Sequence, residues 1–229
     1  LFMYDLEPKN LIQCTGRVLY KRYNADEGTL FFMLGLFIPK FIPRNIESIT
    51  NDNTFNRDVP TFIMYGDEAK KMDAKLKVDD YVAVFAHVNT EEHMRPVGGR
   101  NYRKEWTTHF IADKIYTGVQ HTCFNGVTLS GEIIRVYKNE EERHRFYMIT
   151  VKIPLEDGTI TRANFVQFDP SMTLDPKVGD TVYMNGIIQT KRVREDNGRQ
   201  RTLLSVVSRS IILNRQPEYR LRSTTENQA

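Results

Sequence analysis

Basic and aromatic side chains are concentrated in two segments of this chain, and together they could hold a nucleic-acid strand. The first segment, TKRVREDNGRQRT, spans residues 190–202 and is the densest basic run in the sequence. Its basic residues are Lys191, Arg192, Arg194, Arg199 and Arg201. Arginine pairs with phosphate and also stacks on flat rings, so this segment predicts contact with a phosphate backbone. The alternative is a solvated hairpin tip that binds nothing.

The second segment, EEHMRPVGGRNYRKEW at residues 91–106, mixes cations with aromatic rings. Its candidate binding residues are Arg95, Arg100, Tyr102, Arg103, Lys104 and Trp106. Bases of a single strand stack on such rings while cations follow the backbone. Trp106 opens a predicted strand, so packing in a core competes with stacking for this residue.

Two further aromatic residues each follow a phenylalanine by three positions. Tyr65 follows Phe62, and Phe168 follows Phe165. Side chains three residues apart on a regular strand point to opposite faces, so Tyr65 and Phe168 are predicted to be exposed if the phenylalanines are core. Both rings are therefore candidates for base stacking, with core packing as the alternative.

No pattern in the sequence indicates catalysis. There is no nucleophile elbow, phosphate-binding loop or Cys/His metal cluster, and the five histidines are scattered along the chain. We therefore expect a protein that is not an enzyme and uses no cofactor and no metal ion. Two cysteines are too few for a disulfide framework, which favours a reducing compartment.

The charge of the chain is unevenly distributed. The 229 residues carry a net charge of +3, with 16 basic and 16 acidic side chains in residues 1–120 and 16 and 13 in residues 121–229. The second half is thus expected to be the stronger electrostatic binder. No apolar run approaches the roughly 20 residues needed to cross a bilayer, and the first ten residues lack the features of a secretion signal. We expect a cytoplasmic protein that does not contact a membrane.

The segments that must position these side chains belong to an internal repeat, in which similar sequences occur twice. FFMLGLFIP at residues 31–39 matches FYMITVKIP at residues 146–154 with an offset of 115, and KVDDYVAVFAHVNT at residues 77–90 matches KVGDTVYMNGIIQT at residues 177–190 with an offset of 100. Anchors in one order with length changes between them indicate two copies of one domain. Chance similarity between β-rich segments is the alternative.

Each copy is predicted to contain five strands, because β-branched and aromatic residues alternate with polar ones between turn signals. The predicted strands are Leu11–Tyr20, Thr29–Pro39, Val59–Tyr65, Tyr81–Val88 and Trp106–Tyr116 in the first copy, and Val127–Tyr137, Arg145–Pro154, Thr159–Phe168, Thr181–Gln189 and Thr202–Leu213 in the second. A helical turn is predicted over Gly66–Leu76, after the third strand. The order predicts an all-β chain of two tandem five-stranded OB-fold barrels, a fold that binds oligonucleotides. Gly16 and Gly131 are expected where the first strand bends around the barrel.

The ends of the two first strands carry another set of candidates. They are Tyr20, Arg22 and Tyr23 in the first copy, and Arg135, Tyr137 and Lys138 in the second. These side chains could line a binding groove or cap the barrel. The predicted division of the chain is residues 1–120 for the first domain, 121–216 for the second and 217–229 for a flexible tail.

The motifs of the second copy resemble those of the bacterial single-stranded DNA-binding protein family. The similarity rests on NFVQF at residues 164–168, KVGDTVYMNGIIQTK at residues 177–191 and the basic hairpin DNGRQR at residues 196–201. The first copy departs from the pattern, with Asp79 and Ala86 in place of two glycines and an insertion over residues 40–58. The resemblance implies that Tyr65 and Phe168 are the family's stacking aromatics and that the basic hairpin is its flexible loop.

The resemblance also implies a function. A member of this family coats and protects single-stranded DNA without sequence preference in replication, recombination or repair, and works with replication or recombination proteins. A homodimer of this chain would present four OB-folds, the number common in the family. The expected location is the bacterial cytoplasm or nucleoid, or a phage-infected host cell. Two alternatives remain: a protein-interaction scaffold of a replication complex, and an RNA-binding OB protein.

Overall fold

The computed structural model describes residues 7–37, 57–98, 101–120, 124–141, 145–155, 158–169, 171–194 and 200–214. These residues form eleven strands and one α-helix. The elements of the first copy are β1 (Lys9–Asn24), β2 (Thr29–Phe37), β3 (Arg57–Asp58), β4 (Thr61–Tyr65), α1 (Gly66–Lys75), β5 (Tyr81–Gly98) and β6 (Asn101–Thr117). Those of the second are β7 (Asn125–Asn139), β8 (Phe146–Pro154), β9 (Ile160–Phe168), β10 (Thr181–Arg194) and β11 (Gln200–Asn214).

Each copy closes into a five-stranded barrel. In the first, β1 pairs with both β2 and β5, and the circuit is completed through β4 and β6. In the second, β7 pairs with both β8 and β10, and β9 and β11 complete the circuit. One parallel pair closes each barrel, β4 with β6 and β9 with β11. The prediction of two tandem five-stranded OB-fold barrels is therefore confirmed.

The two copies repeat the same hydrogen bonds at the offsets seen in the sequence. Asn10 donates from Nδ2 to the Val88 carbonyl at 2.7 Å and accepts the Val88 N–H at 2.8 Å. Asn125 makes the same two bonds with Ile188, each at 2.9 Å. An asparagine amide can satisfy a backbone donor and acceptor at once. This side chain therefore links β1 to β5 in the first copy and β7 to β10 in the second.

Asn125→Ala should therefore lower the free energy of unfolding by about 1–3 kcal/mol, because the Ile188 N–H and carbonyl lose their partners. Urea denaturation followed by circular dichroism measures the change. The matched control is Thr128→Ala, which removes an exposed hydrogen bond to Asn185 and should change stability by about 0.5 kcal/mol or less. Equal losses for the two variants would contradict the role given to Asn125.

A glycine in the first strand of each copy allows a close backbone approach, as predicted for the barrel bend. A Cβ on Gly16 would lie 2.6 Å from the Gly35 carbonyl oxygen, and a Cβ on Gly131 would meet the Lys152 carbonyl oxygen at still shorter range. A β-bulge follows each glycine, between Val18 and Tyr20 in β1 and at the equivalent place in β7. A bulge bends the strand and increases its twist, so the sheet can curl into a barrel here.

The barrels are filled by side chains that alternate along the strands. Phe62 and Phe165 are 0% and 1% exposed, which confirms their predicted core positions. The Phe62 ring stacks on Phe32 with centroids 5.4 Å apart and lies 5.7 Å from Phe110. Burial of such rings removes a large apolar area from water. Phe62 and Phe165 therefore fix which face of β4 and of β9 packs into the core.

Strand pairing also joins the two barrels. β1 and β7 pair antiparallel from Lys9 opposite Ser130 to Cys14 opposite Asn125. Cys14 is buried at this junction, and burial raises the pKa of its thiol. The Thr190 N–H donates to Asp58 Oδ1 at 2.8 Å, which links β10 to β3. The barrels thus share backbone pairing and side-chain contacts.

The strands that carry the two basic segments differ from prediction. The flexibility predicted for the first basic segment stays a prediction, because residues 195–199 lie outside the described part of the chain. The sequence predicts strands that end at Gln189 and start at Thr202 around this segment, and strands that end at Val88 and start at Trp106 around the second. Instead, β5 and β6 stay paired up to Gly98 opposite Asn101, and β10 and β11 up to Arg194 opposite Gln200. Cross-strand partners explain the extension, including the Thr90 and Thr108 hydroxyls at 3.1 Å. Both segments are β-ribbons over their described residues.

The other predicted elements agree closely with the structure. Helix α1 lies within the segment predicted to be helical, and no helix occurs in the described residues between β9 and β10. Only residues 57–58 of the predicted insertion belong to the described part, and the predicted tail lies outside it. Among the described residues, no helix has the length and apolar character needed to cross a membrane.

Candidate nucleic-acid interface

Three aromatic rings form a row at one end of the second barrel. Tyr137 lies in β7, Phe146 begins β8 and Phe168 ends β9. The Tyr137 and Phe146 ring centroids are 6.4 Å apart, and those of Phe146 and Phe168 are 6.1 Å apart. Strand register produces this row, because Phe146 lies directly opposite Phe168. We call these three residues the aromatic row.

Tyr137 and Phe168, the outer rings of the row, are exposed to solvent, whereas Phe146 between them is partly buried. The exposure of Phe168 follows from the alternation in β9. Phe165 is buried, whereas Phe168, three residues later, is 52% exposed. Tyr65 has the same relation to Phe62 in the first barrel and is 55% exposed. The predicted exposure of both rings is confirmed; their stacking on bases stays a prediction.

Tyr65 lies at the junction of β4 with helix α1 and retains its proton to higher pH than a free tyrosine. Its pKa is raised by partial burial of the phenol, and further by the negative charges of Glu91 and Glu27. A tyrosine is already neutral at ordinary pH, and the upward shift keeps this ring so, which means that it adds no repulsion toward phosphate.

The ribbon formed by β5 and β6 of the first copy bends over the second barrel. Trp106, on β6, contacts side chains from β7 and β9 of the other copy: the Arg135 and Arg162 guanidinium carbons are each 5.8 Å from the centroid of its indole ring. Guanidinium groups within about 6 Å of an indole face are attracted by the ring's electron density. Core packing of Trp106, the alternative left open by the sequence, is thus replaced by a cation–π contact across the two copies.

A groove of about 440 Å³ runs between this ribbon and the second barrel. We call it the inter-barrel groove. Its lining includes Lys104, Trp106, Arg135, Tyr137, Met148 and Asn164. Arg162 adjoins the groove through its contact with Trp106 but does not line it. Because Tyr137 belongs both to the groove and to the aromatic row, the two features form one continuous surface.

Among the described residues that line the groove, the charged ones are Lys104 and Arg135, both positive. Lys104 Nζ forms an ion pair with Glu92 Oε1 at 2.6 Å across the ribbon. The pKa of Glu92 is lowered, first by this hydrogen bond and then by the charges of Arg162 and Arg135. The charges of Lys104 and of both arginines therefore favour the ionised form of the Glu92 carboxylate.

This chain is similar to known proteins in structure rather than in sequence. No protein-family model matches it, and no curated protein matches it. The wild-type single-stranded DNA-binding protein of Thermus aquaticus superposes with a TM-score of 0.57 at 11% identity, covering 93% of this chain and 96% of that one. A deletion mutant of the same Thermus protein gives 0.57 at 10% identity, covering 92% and 97%.

The chain shares their fold. Its tandem OB-fold matches that of the Thermus single-stranded DNA-binding protein over nearly the whole length of both chains. At 10–11% identity this similarity concerns architecture alone, so the roles of individual side chains in this tandem OB-fold must be argued from its own geometry.

The structure brings some of the sequence-predicted residues together and separates others. Lys104, Trp106, Arg135 and Tyr137 meet in the inter-barrel groove, and Phe168 follows in the aromatic row. Tyr20, Arg22 and Tyr65 are exposed on the first barrel, Lys191 is exposed on β10, and Tyr102 is exposed on the ribbon.

Two candidates at the ends of the first strands have structural partners. Tyr23 is partly buried against the hydrophobic core, so it caps its barrel. Lys138 pairs with Glu140.

The structure leaves several predicted residues without a described side chain. Arg95 and Arg103 lie on the β5–β6 ribbon, and Arg192, Arg194 and Arg201 lie on the β10–β11 ribbon, but only their backbone is described. Arg100 and Arg199 lie outside the described residues. Their predicted contacts with a nucleic acid stay predictions.

Three residues of this surface were missed by the sequence interpretation. Phe146 was noted only as part of the repeated strand, yet it links Tyr137 to Phe168. Arg162 was not singled out because an isolated arginine in an alternating strand is an ordinary solvent-facing residue. Met148 lines the groove and was likewise interpreted only as part of the repeat. The aromatic first residue of β8 was a usable signal for Phe146, whereas nothing local indicates the position of Arg162.

Among the described residues, no cluster of three or more His, Cys, Asp or Glu side chains is arranged to hold a metal ion. The surface offers flat rings and guanidinium groups instead. Such groups bind flat bases and anionic phosphates without bond-making chemistry.

Proposed function

We propose that this protein binds single-stranded DNA with little sequence preference, and that it coats and protects the strand during replication, recombination or repair. The observation that carries the proposal is the continuity of the aromatic row with the cationic inter-barrel groove. Tyr137 and Phe168 are about half exposed, and the partly buried Phe146 lies between them with ring centroids about 6 Å from each. The two outer rings offer stacking surfaces, and the arginines beside them offer partners for the backbone. Every base has a flat face, so stacking of this kind tolerates any sequence.

The tandem arrangement adds affinity through effective concentration. Once one barrel binds a strand, the other barrel searches a small volume around it, so avidity rises without further contacts. We place the domain boundaries near residues 120 and 216, with residues 217–229 as a tail. A homodimer would supply four such barrels. Replication or recombination proteins are the expected partners. The expected location is a bacterial or phage-infected cell, where single strands are exposed.

Removing a single stacking ring should weaken binding without unfolding the protein. Phe168→Ala and Tyr65→Ala should each reduce the affinity for oligo-dT by about 1–3 kcal/mol, the contribution of one stacked base. Fluorescence anisotropy of a labelled oligo-dT measures the affinity. Because both rings are more than half exposed, the thermal unfolding midpoint should hardly move.

The matched control for this pair is Tyr116→Ala. Tyr116 is also half exposed, but its ring contacts Phe85 edge-on and it is not among the candidate binding residues. It should leave the affinity unchanged. If Phe168→Ala and Tyr116→Ala bind oligo-dT as tightly as the wild type, stacking on the aromatic row is wrong.

The basic β10–β11 ribbon should contribute phosphate contacts. Replacing Arg194 and Arg199 with alanine should flatten the dependence of log affinity on log salt by about 0.7 for each phosphate that the ribbon no longer binds. Solvated surface substitutions usually change stability by no more than about 0.5 kcal/mol, so folding should be preserved. Parallel salt dependences for the wild type and the double variant would show that the ribbon does not touch the backbone.

A further inference from the structure

The inter-barrel groove has no equivalent among the described residues of the other copy, although the two barrels repeat each other closely. In the β5–β6 ribbon, Trp106 lies opposite Glu92. The same register in the β10–β11 ribbon places Thr202 opposite Arg192. The repeat therefore substitutes a small hydroxyl side chain for the only tryptophan of the chain.

The two arginines are also unique to one side. Arg135 follows the bulge in β7 in the way that Tyr20 follows the bulge in β1. Arg162 precedes Phe165 by three residues, and the residue that precedes Phe62 by three is Val59. At these two positions the second barrel has arginines that contact Trp106, whereas the first barrel has Tyr20 and Val59.

The contacts in this groove can be exchanged for contacts with a nucleotide. A guanidinium group stacks on an aromatic ring and pairs with phosphate through the same planar fork of donors. A phosphate near Arg135 and Arg162 would draw them from the indole, and the freed face of Trp106 could then stack on the base. The volume of about 440 Å³ lies in the range of roughly 300–1,000 Å³ typical of sites for small molecules.

We propose that the inter-barrel groove is a single-nucleotide site, present once per chain, in which Trp106 stacks on the base. Arg135, which lines the groove, and Arg162, which contacts Trp106 beside it, bind the phosphate. The proposal rests on the single-strand binding proposed above and adds one site at which a defined nucleotide of the strand is bound. A strand is held at one defined nucleotide by both copies, while the rest of its length lies on the more permissive aromatic row.

Glu92 is the internal competitor of this nucleotide. Its carboxylate is paired with Lys104 at 2.6 Å and lies close enough to Arg135 and Arg162 to be stabilised by their charge. An incoming phosphate must share these cations with the carboxylate. Loss of the Glu92 charge should therefore tighten nucleotide binding rather than weaken it.

The test uses the fluorescence of Trp106, which reports on the groove alone because the chain has no other tryptophan. The full chain is titrated with a 5′-phosphorylated thymidine trinucleotide. We expect quenching of Trp106 with one trinucleotide bound per chain. Arg162→Ala should weaken this binding by about tenfold or more, the loss expected for hydrogen bonds to a charged group, and Glu92→Gln should strengthen it by about threefold or more.

The matched control is Arg209→Ala, an exposed arginine on β11 of the same barrel that is neither among the residues lining the groove nor one of the two arginines that contact Trp106. It should leave trinucleotide binding unchanged, and thermal melts of all three variants check that they are folded. If oligo-dT binds the wild type but the trinucleotide neither quenches Trp106 nor distinguishes Arg162→Ala from Arg209→Ala, the groove is not a nucleotide site although single-strand binding stands. If oligo-dT does not bind at all, both proposals fall together.

Discussion

Replacing Phe165 with alanine should destabilise the protein by about 3–5 kcal/mol, the cost typical of truncating a buried phenylalanine. The ring is almost completely buried in the second barrel, so its removal leaves a cavity that neighbouring strands cannot close without losing their pairing. The loss is a large part of the roughly 5–15 kcal/mol that stabilises an ordinary domain. Urea denaturation followed by circular dichroism measures it.

The control for this prediction is Phe168→Ala, three residues along the same strand. Because Phe168 is half exposed, its truncation removes little buried area and should change the free energy of unfolding by less than about 1 kcal/mol. The pair therefore separates the core face of β9 from its binding face. A Phe168→Ala protein that unfolds while Phe165→Ala remains stable would mean that the two faces are reversed.

Salt should have the largest effect on binding. Phosphate contacts release counterions, so the logarithm of the affinity falls linearly with the logarithm of the salt concentration, by about 0.7 per contact on a single strand. If about six to ten phosphates are contacted, oligo-dT affinity should fall by about 10²–10⁴-fold between roughly 50 and 200 mM salt. Titrations of labelled oligo-dT at several salt concentrations measure the slope. An affinity independent of salt would show that the cations of the groove and ribbons do not meet the backbone.

The repeat made most of the fold predictable from the sequence. Offsets of 115 and 100 identify equivalent residues from the sequence alone, and the structure places Asn10 and Asn125 in the same pair of hydrogen bonds. Alternation along single strands likewise predicted that Phe62 and Phe165 are core and that Tyr65 and Phe168 are exposed. These features are local, because a strand's side-chain period depends only on its own backbone.

The candidate site was predictable only in part, since it depends on contacts between the copies. Trp106 and Arg162 are far apart in the sequence and belong to different barrels, and neither carries a local pattern that points to the other. The sequence also underestimates the length of the strands in the two ribbons, because their polar and basic residues hide the alternation by which strands are recognised. Pairing of β5 with β6 carries Trp106 over the second barrel, and this pairing follows from the tertiary structure.

The central claim is that this surface holds one unpaired strand. Stacking requires bases with free faces, which a duplex does not offer, and a groove that tracks one backbone does not fit two paired strands. The direct measurement is the affinity of the full chain for oligo-dT and for a blunt duplex of the same length, in one buffer, by fluorescence anisotropy. We predict that oligo-dT binds far more tightly than the duplex. Equal affinity for the two would contradict the account.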